Sequence, residues 1–151
     1  MRILGIDYGH RRLGIALSDD EKILASPLPV YSRRNLDVDL AFLLGIVKEN
    51  EVEQAIVGLP RNMNGSIGKM AKEVLSFAGK LQRKINIPVS TFDERMTTVE
   101  AERVLVETNL SRKRRKGLRD SIAAVLILQG YLDRLGTEKD QESPRTVMRD
   151  G

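Results

Sequence analysis

The stretch "MRILGIDYGHRRLGIALSD", residues 1–19, holds the reading that decides the fold. An apolar run ends on one acid, Asp7, a Gly-His-Arg-Arg turn follows, and a second apolar run starts at Leu13. Residues 3–6 and 13–17 are short, apolar and bracketed by glycines, so they read as two strands joined by a tight connection. A carboxylate at the end of a buried strand is costly unless something uses it. "SDDEK" reads as a turn, and residues 23–25 as a third strand of an antiparallel meander. Pro27 and Pro29 then end that strand or push it to a sheet edge.

Working outward, a helix should follow Asn35, because Leu40, Leu43, Leu44 and Val47 fall at i, i+3, i+4 and i+7. "AIVGLP" reads as a buried strand closed by Gly58 and Pro60. A second helix is expected over residues 69–84, with Met70, Val74, Phe77 and Leu81 on one face. "IPVSTF" is the next strand and runs straight into "DER". Thr97 and Glu100 have the form of a capping box, opening a short helix over residues 99–106. A last helix begins near Asp120 and is apolar nearly all round for two turns, so it should pack against the sheet on one side and another helix on the other. This order predicts an α/β fold. Its mixed five-stranded sheet combines an antiparallel three-strand meander with two parallel strands, flanked by helices. Residues 1–136 are expected to form one domain, and the polar, aperiodic residues 137–151 a disordered C-terminal tail.

Composition narrows the class. With 151 residues, 41% hydrophobic and 30% charged, the chain reads as an ordinary globular protein. No apolar run approaches the roughly 18–20 residues that span a bilayer, and Asp7 interrupts the N-terminal run too early for a secretory signal. The absence of cysteine excludes disulfides and zinc-thiolate sites and fits a reducing compartment. A cytoplasmic location is expected. The net charge is only +4, but Arg112, Lys113, Arg114, Arg115, Lys116 and Arg119 form an acid-free basic run. Such a run is either a solvated loop or a phosphate-contacting segment.

Three acidic positions share one circumstance. Asp7 ends the first strand, Asp93 and Glu94 end the last, and Asp120 opens the final helix. Each has an ordinary structural explanation, such as capping a helix or bonding to a turn. Together they are harder to explain, because a pair of carboxylates about 4 Å apart costs on the order of 4 kcal/mol at an effective dielectric near 20. A cation would neutralise them, and oxygen-only ligands favour a hard ion such as Mg²⁺ or Mn²⁺. Asp93 and Glu94 cannot easily both serve, since neighbours on a strand point to opposite faces. The one histidine, His10, reads as a surface-turn residue. Tyr8, Tyr31 and Tyr131 are too scattered along the chain to suggest a base-stacking platform. The "GLPRNMNGSIG" loop could cradle phosphate, but it lacks the Lys-Ser/Thr of a P-loop.

Four blocks, "GIDYGHRRLGIALSD", "IVGLPRNMNGS", "TFDERMTTVEAE" and "RDSIAAVLILQGYL", fall in an order that resembles the YqgF family. That family is described as Holliday junction resolvases or pre-16S ribosomal RNA nucleases, and the likeness covers most of residues 1 to about 135. It implies an RNase H-like fold related to the RuvC resolvase. It also implies that Asp7, Glu94 and Asp120 form the acidic, metal-binding active-site set. Arg11, Arg12, Asn62 and Arg95 lie in its motif blocks and become candidates for substrate or site-ordering contacts. The chain departs from the usual pattern at His10 and at Asn64, where the family often has Asp.

The resulting expectation is a nuclease dependent on Mg²⁺ or Mn²⁺ that cuts phosphodiester bonds in structured nucleic acid. Processing of pre-16S rRNA comes first, with ribosomal particles as partners. Arg112 to Lys116 precede Asp120 directly and would hold the substrate backbone. Resolution of branched DNA and a non-catalytic nucleic-acid- or ribosome-binding role are the alternatives. Asp-x-Gly after an apolar strand also opens the actin and sugar-kinase superfamily, but that architecture needs a second domain and a second phosphate loop.

Overall fold

The structure is a computed structural model that describes residues 1–62, 64–96 and 119–150, with the side chains of the last helix described from 121 to 137. The elements are β1 (Arg2–Tyr8), β2 (Arg12–Ser18), β3 (Ala25–Ser32), α1 (Leu36–Glu49), β4 (Val52–Leu59), α2 (Lys69–Ile85), β5 (Val89–Asp93) and a final helix, here α3 (Arg119–Asp150). The sheet order is β3-β2-β1-β4-β5, antiparallel from β3 to β1 and parallel from β1 to β5. The meander and the two parallel strands are as the sequence led us to expect. The capping box, the short helix over 99–106 and the basic run 112–116 lie outside the described residues. Among the described residues no helix is long and apolar enough to cross a membrane.

Strand alternation sorts the core into two layers. Leu4, Ile6, Leu13 and Ile15 pack with Leu43, Val74, Phe77 and Leu81 of α1 and α2. Ile3, Ala16 and Ile56 pack on the opposite face with Ala124, Ile127 and Leu128 of α3. Asn35 caps α1, its side-chain oxygen accepting from the Val38 N–H at 3.0 Å. Without that cap the first turn would leave its amides unpaired.

One strand differs from expectation in its bounds. β3 begins where the third strand was expected to stop, and it runs through both Pro27 and Pro29. It pairs only with β2, so a proline lacking an N–H interrupts no second ladder. The backbone of α3 is helical past Gly136, as far as Asp150. Glu138, Lys139, Gln141 and Glu142 are good helix formers that extend a helix already nucleated by its buried first half.

The sheet meets α3 at bare glycine. A Cβ added at Gly5 would lie 2.7 Å from the Leu128 Cβ and 3.3 Å from the Ala124 carbonyl oxygen. Neither atom can swing aside. Gly5→Ala should therefore destabilise the fold by about 1–3 kcal/mol through overpacking, read as a lower urea midpoint at unchanged slope.

Candidate active site

Asp7 is half-buried on β1, opposite Gly14 of β2. It lies two residues after Gly5 and so shares the sheet face that α3 covers. The parallel register pairs Ile6 with Val57, which makes Gly58 the neighbour of Asp7 one step further along. A Cβ at Gly58 would stand 2.9 Å from the Glu94 Oε1 and 2.4 Å from the Ile127 Cδ1. The Glu94 carboxylate thus lies over the bare backbone of Gly58, one strand away from Asp7 and on the same face. A side chain at 58 would displace the Glu94 carboxylate and the end of Ile127.

The third acid is placed by its backbone. The Ala124 carbonyl lies against Gly5, while the Tyr131 hydroxyl reaches the Gln54 Oε1 at 3.3 Å, and Gln54 pairs with Ile3. α3 therefore runs opposite to β1, and Asp120, one turn before Ala124, sits towards the Asp7 end. Its side chain lies outside the described residues, as do those of Arg112, Lys113, Arg114, Arg115 and Lys116.

The strand ends at Asp93, and Glu94 opens a 3-10 turn, Glu94–Met96, so the two acids part there. Asp93 accepts from the Arg95 backbone N–H at 2.9 Å and from its guanidinium at 2.7 and 3.1 Å, with the Arg61 Nε 3.8 Å away. Hydrogen bonds from Arg95 hold the Asp93 carboxyl below the usual range. Glu94 is shifted the other way, raised first by burial and then by the charge of Asp93. Asp93 is thus consumed in building the turn. Glu94 is the member whose charge the fold leaves costly.

Arg95, Asn62 and Arg61 gather beside the β5 end. A Cβ on Gly65, whose φ is +85°, would lie 3.8 Å from the Arg95 guanidinium, and the Arg61 Nη1 reaches the Gly65 carbonyl at 3.4 Å. Asn62 closes the loop, its Nδ2 donating to the Ser66 Oγ at 3.0 Å and its carbonyl accepting from the Gly65 N–H at 2.8 Å. Asn64 accepts from Ser66 and serves this turn. Arg11 lies exposed on the β1–β2 connection and Arg12 exposed at the start of β2, at the same sheet end as Asp7. His10 pairs with Glu73 of α2 at 2.6 Å, a role the sequence did not suggest.

The sequence reading also missed Asp39. It is fully buried in the first turn of α1 and accepts from the Tyr31 hydroxyl, the Arg33 Nε and the Arg34 N–H at 2.9, 2.9 and 3.0 Å. Arg33 in turn donates to the carbonyls of Gly9 and Arg11, fixing the turn that follows Asp7. The one available signal was a short Tyr-x-Arg-Arg run before an acidic helix start.

Carboxylates at the ends of β1 and β5 suit a hard divalent cation, and the raised Glu94 carboxyl shows where positive charge would stabilise the fold. Among the described residues no three such ligands meet, since the Asp120 side chain is outside them. Because the folded state holds the Glu94 proton more tightly than the unfolded chain, stability falls as pH rises above the ordinary glutamate range. Glu94→Gln should therefore melt higher than the parent at neutral pH in chelator. That difference should vanish at acid pH.

A mixed sheet ordered β3-β2-β1-β4-β5 with a helix across one face is the RNase H-like architecture. The chain belongs to the RuvX family, described as Holliday junction resolvase, whose model matches residues 1–134, and this is the YqgF family of the sequence resemblance. A protein of Moorella thermoacetica, named "Putative pre-16S rRNA nuclease", is 54% identical over 90% of this chain and 97% of its own. One of Halothermothrix orenii with the same name is 48% identical over 88% and 95%. Among solved structures, T. thermophilus RuvC in complex with Holliday junction substrate matches with a TM-score of 0.60 at 20% identity, over 91% of this chain and 97% of that one. The fowlpox virus Holliday junction resolvase matches with a TM-score of 0.56 at 11% identity, over 89% and 99%. Both share the fold.

Proposed function

We propose that this chain is a metal-dependent nuclease, cytoplasmic and active on structured nucleic acid, with pre-16S ribosomal RNA as its substrate. The observation that carries this is Glu94 lying over Gly58 beside Asp7, on the face that α3 covers. Family membership and the names of the full-length relatives support it.

A bound Mg²⁺ or Mn²⁺ would supply Lewis acidity and ease the deprotonation of water. Asp7, Glu94 and Asp120 would hold it, from β1, from the turn after β5 and from α3. The burial of Glu94 limits its competition from solvent. Asp93 keeps Arg95 directed along the rim of the site, where a guanidinium fork suits a substrate phosphate. Asn62 and Ser66 keep the neighbouring loop closed, so the substrate meets a formed edge. Arg11 and Arg12 extend the positive rim past the end of β1.

The test is cleavage by the purified full chain, with Mg²⁺ and Mn²⁺, of a pre-16S rRNA fragment and a four-way DNA junction. Cutting of the RNA supports the proposal. Cutting of the junction alone would replace it with a resolvase role, and binding to either without cutting would replace it with a binding-factor role. The basic run adds a second measurement. If all six cations from Arg112 to Arg119 contact phosphate, log K should fall against log salt with a slope near about −4 on single strands. A slope close to zero would remove that run from the interface.

A further inference from the structure

The β1 end has a second face. Tyr8 follows Asp7 and points the other way, towards α1 and α2. Its ring packs against Phe77 with centroids 4.9 Å apart, and the Arg33 guanidinium lies 4.9 Å from its centroid. These three side chains, with Glu73, Ser76 and Lys80 of α2, line an open groove of about 280 Å³. Residues scattered from 8 to 80 in sequence meet here because β1, the chain before α1 and α2 converge at one sheet edge.

We propose that this groove seats one unstacked nucleotide of a single-stranded substrate segment, next to the nucleotide whose phosphate is held at Asp7. The path of the strand rests on the nuclease reading; the groove's own chemistry does not. On one wall the Arg33 guanidinium lies over the Tyr8 ring, and a guanidinium plane is a surface on which splayed bases stack. Glu73 is fixed through its Oε2 by His10, which leaves Oε1 to accept from a base amino group. The Lys80 ammonium and Ser76 hydroxyl stand at the exposed side, where a phosphate would lie. The volume falls just below the roughly 300–1,000 Å³ of pockets for drug-sized ligands and has room for a base. Its position outside the carboxyl end of a strand is where open α/β sheets gather their ligands.

The experiment uses the full chain in chelator, so that no cleavage occurs. Labelled single-stranded RNA and DNA of equal sequence are titrated by fluorescence anisotropy. AMP and dAMP are titrated separately while the NMR signals of Tyr8, Phe77 and Lys80 are followed. Ser76→Trp fills the groove from an exposed position on α2. It should weaken oligonucleotide binding by roughly 5–150-fold, the range for losing one base–aromatic stack. It should also abolish the mononucleotide shifts at an unchanged melting temperature. The RNA and DNA arms show which sugar the groove accepts. Unchanged affinity in folded Ser76→Trp, or mononucleotide shifts only elsewhere, would overturn the assignment. If Ser76→Trp fails to fold, Lys80→Trp fills the groove from another exposed position on α2 and carries the same comparison. Groove binding in a chain that cuts nothing would defeat the nuclease reading and leave the groove standing; cutting without groove binding would do the reverse.

Discussion

Asp7→Asn should abolish cleavage while leaving the fold intact. The substitution preserves shape and strand pairing opposite Gly14, so the β1–β2 ladder has no reason to open. It removes the charge of Asp7 from the end of β1, and a melting curve in chelator checks that the fold is kept. The chemistry responds in the opposite sense. A neutral amide holds a divalent ion far less well than a carboxylate, and the Lewis-acid contribution at stake is several kcal/mol. At 1.36 kcal/mol per tenfold, the expected loss is on the order of 10³-fold or more in the single-turnover rate. Excess Mn²⁺ should recover part of it if weakened metal binding is the cause. Cleavage at the parent rate by folded Asp7→Asn would show that the acid at the end of β1 has no catalytic part.

This position was legible in the sequence because every local signal agreed: an apolar run, an acid where the run stops, then glycine. Asn35 was legible as a helix start for the same kind of reason, since the cap lies three residues from the amide it serves. The choice between Asp93 and Glu94 was harder. Strand alternation says that two neighbours diverge, but the outcome depends on where the strand ends and on which acid Arg95 and Arg61 capture. Gly58 was read only as the close of a strand, yet it and Gly5 both face α3, more than sixty residues further along the chain. β3 was legible in part. Two prolines argue for a strand end or a sheet edge, and β3 is an edge strand, but nothing local says that it continues through both prolines to Ser32. The groove beside Tyr8 was invisible because its aromatic and cationic walls come from three separate segments.

Asp39 illustrates what a buried acid contributes, and Asp39→Ala should be among the most destabilising single substitutions in this chain. Acids are common in the first turn of a helix, where the dipole favours them, so the sequence offers an unremarkable explanation for this one. In the structure its exposure is 0%, and its two oxygens collect the Tyr31 hydroxyl, the Arg33 Nε and the Arg34 N–H. Burial opposes its charge, but those hydrogen bonds win and hold the carboxyl below the usual aspartate range. Truncation to alanine leaves Arg33, 15% exposed, without its partner and strands the Tyr31 hydroxyl, at a cost of about 3–5 kcal/mol. Against a total stability of about 5–15 kcal/mol, this brings the fold near its limit. The check is a urea titration of parent and variant, comparing midpoints at equal slope. The pH dependence supplies a separate sign. Because the folded carboxyl binds its proton less readily than the unfolded one, its contribution is complete above the ordinary aspartate pKa and is lost as pH falls through the lowered folded value. Parent and Asp39→Asn should therefore converge in stability as the solution is acidified through that window. If they stay equally far apart from neutral to strongly acid pH, the carboxylate charge is not what holds Arg33 and the turn behind Asp7.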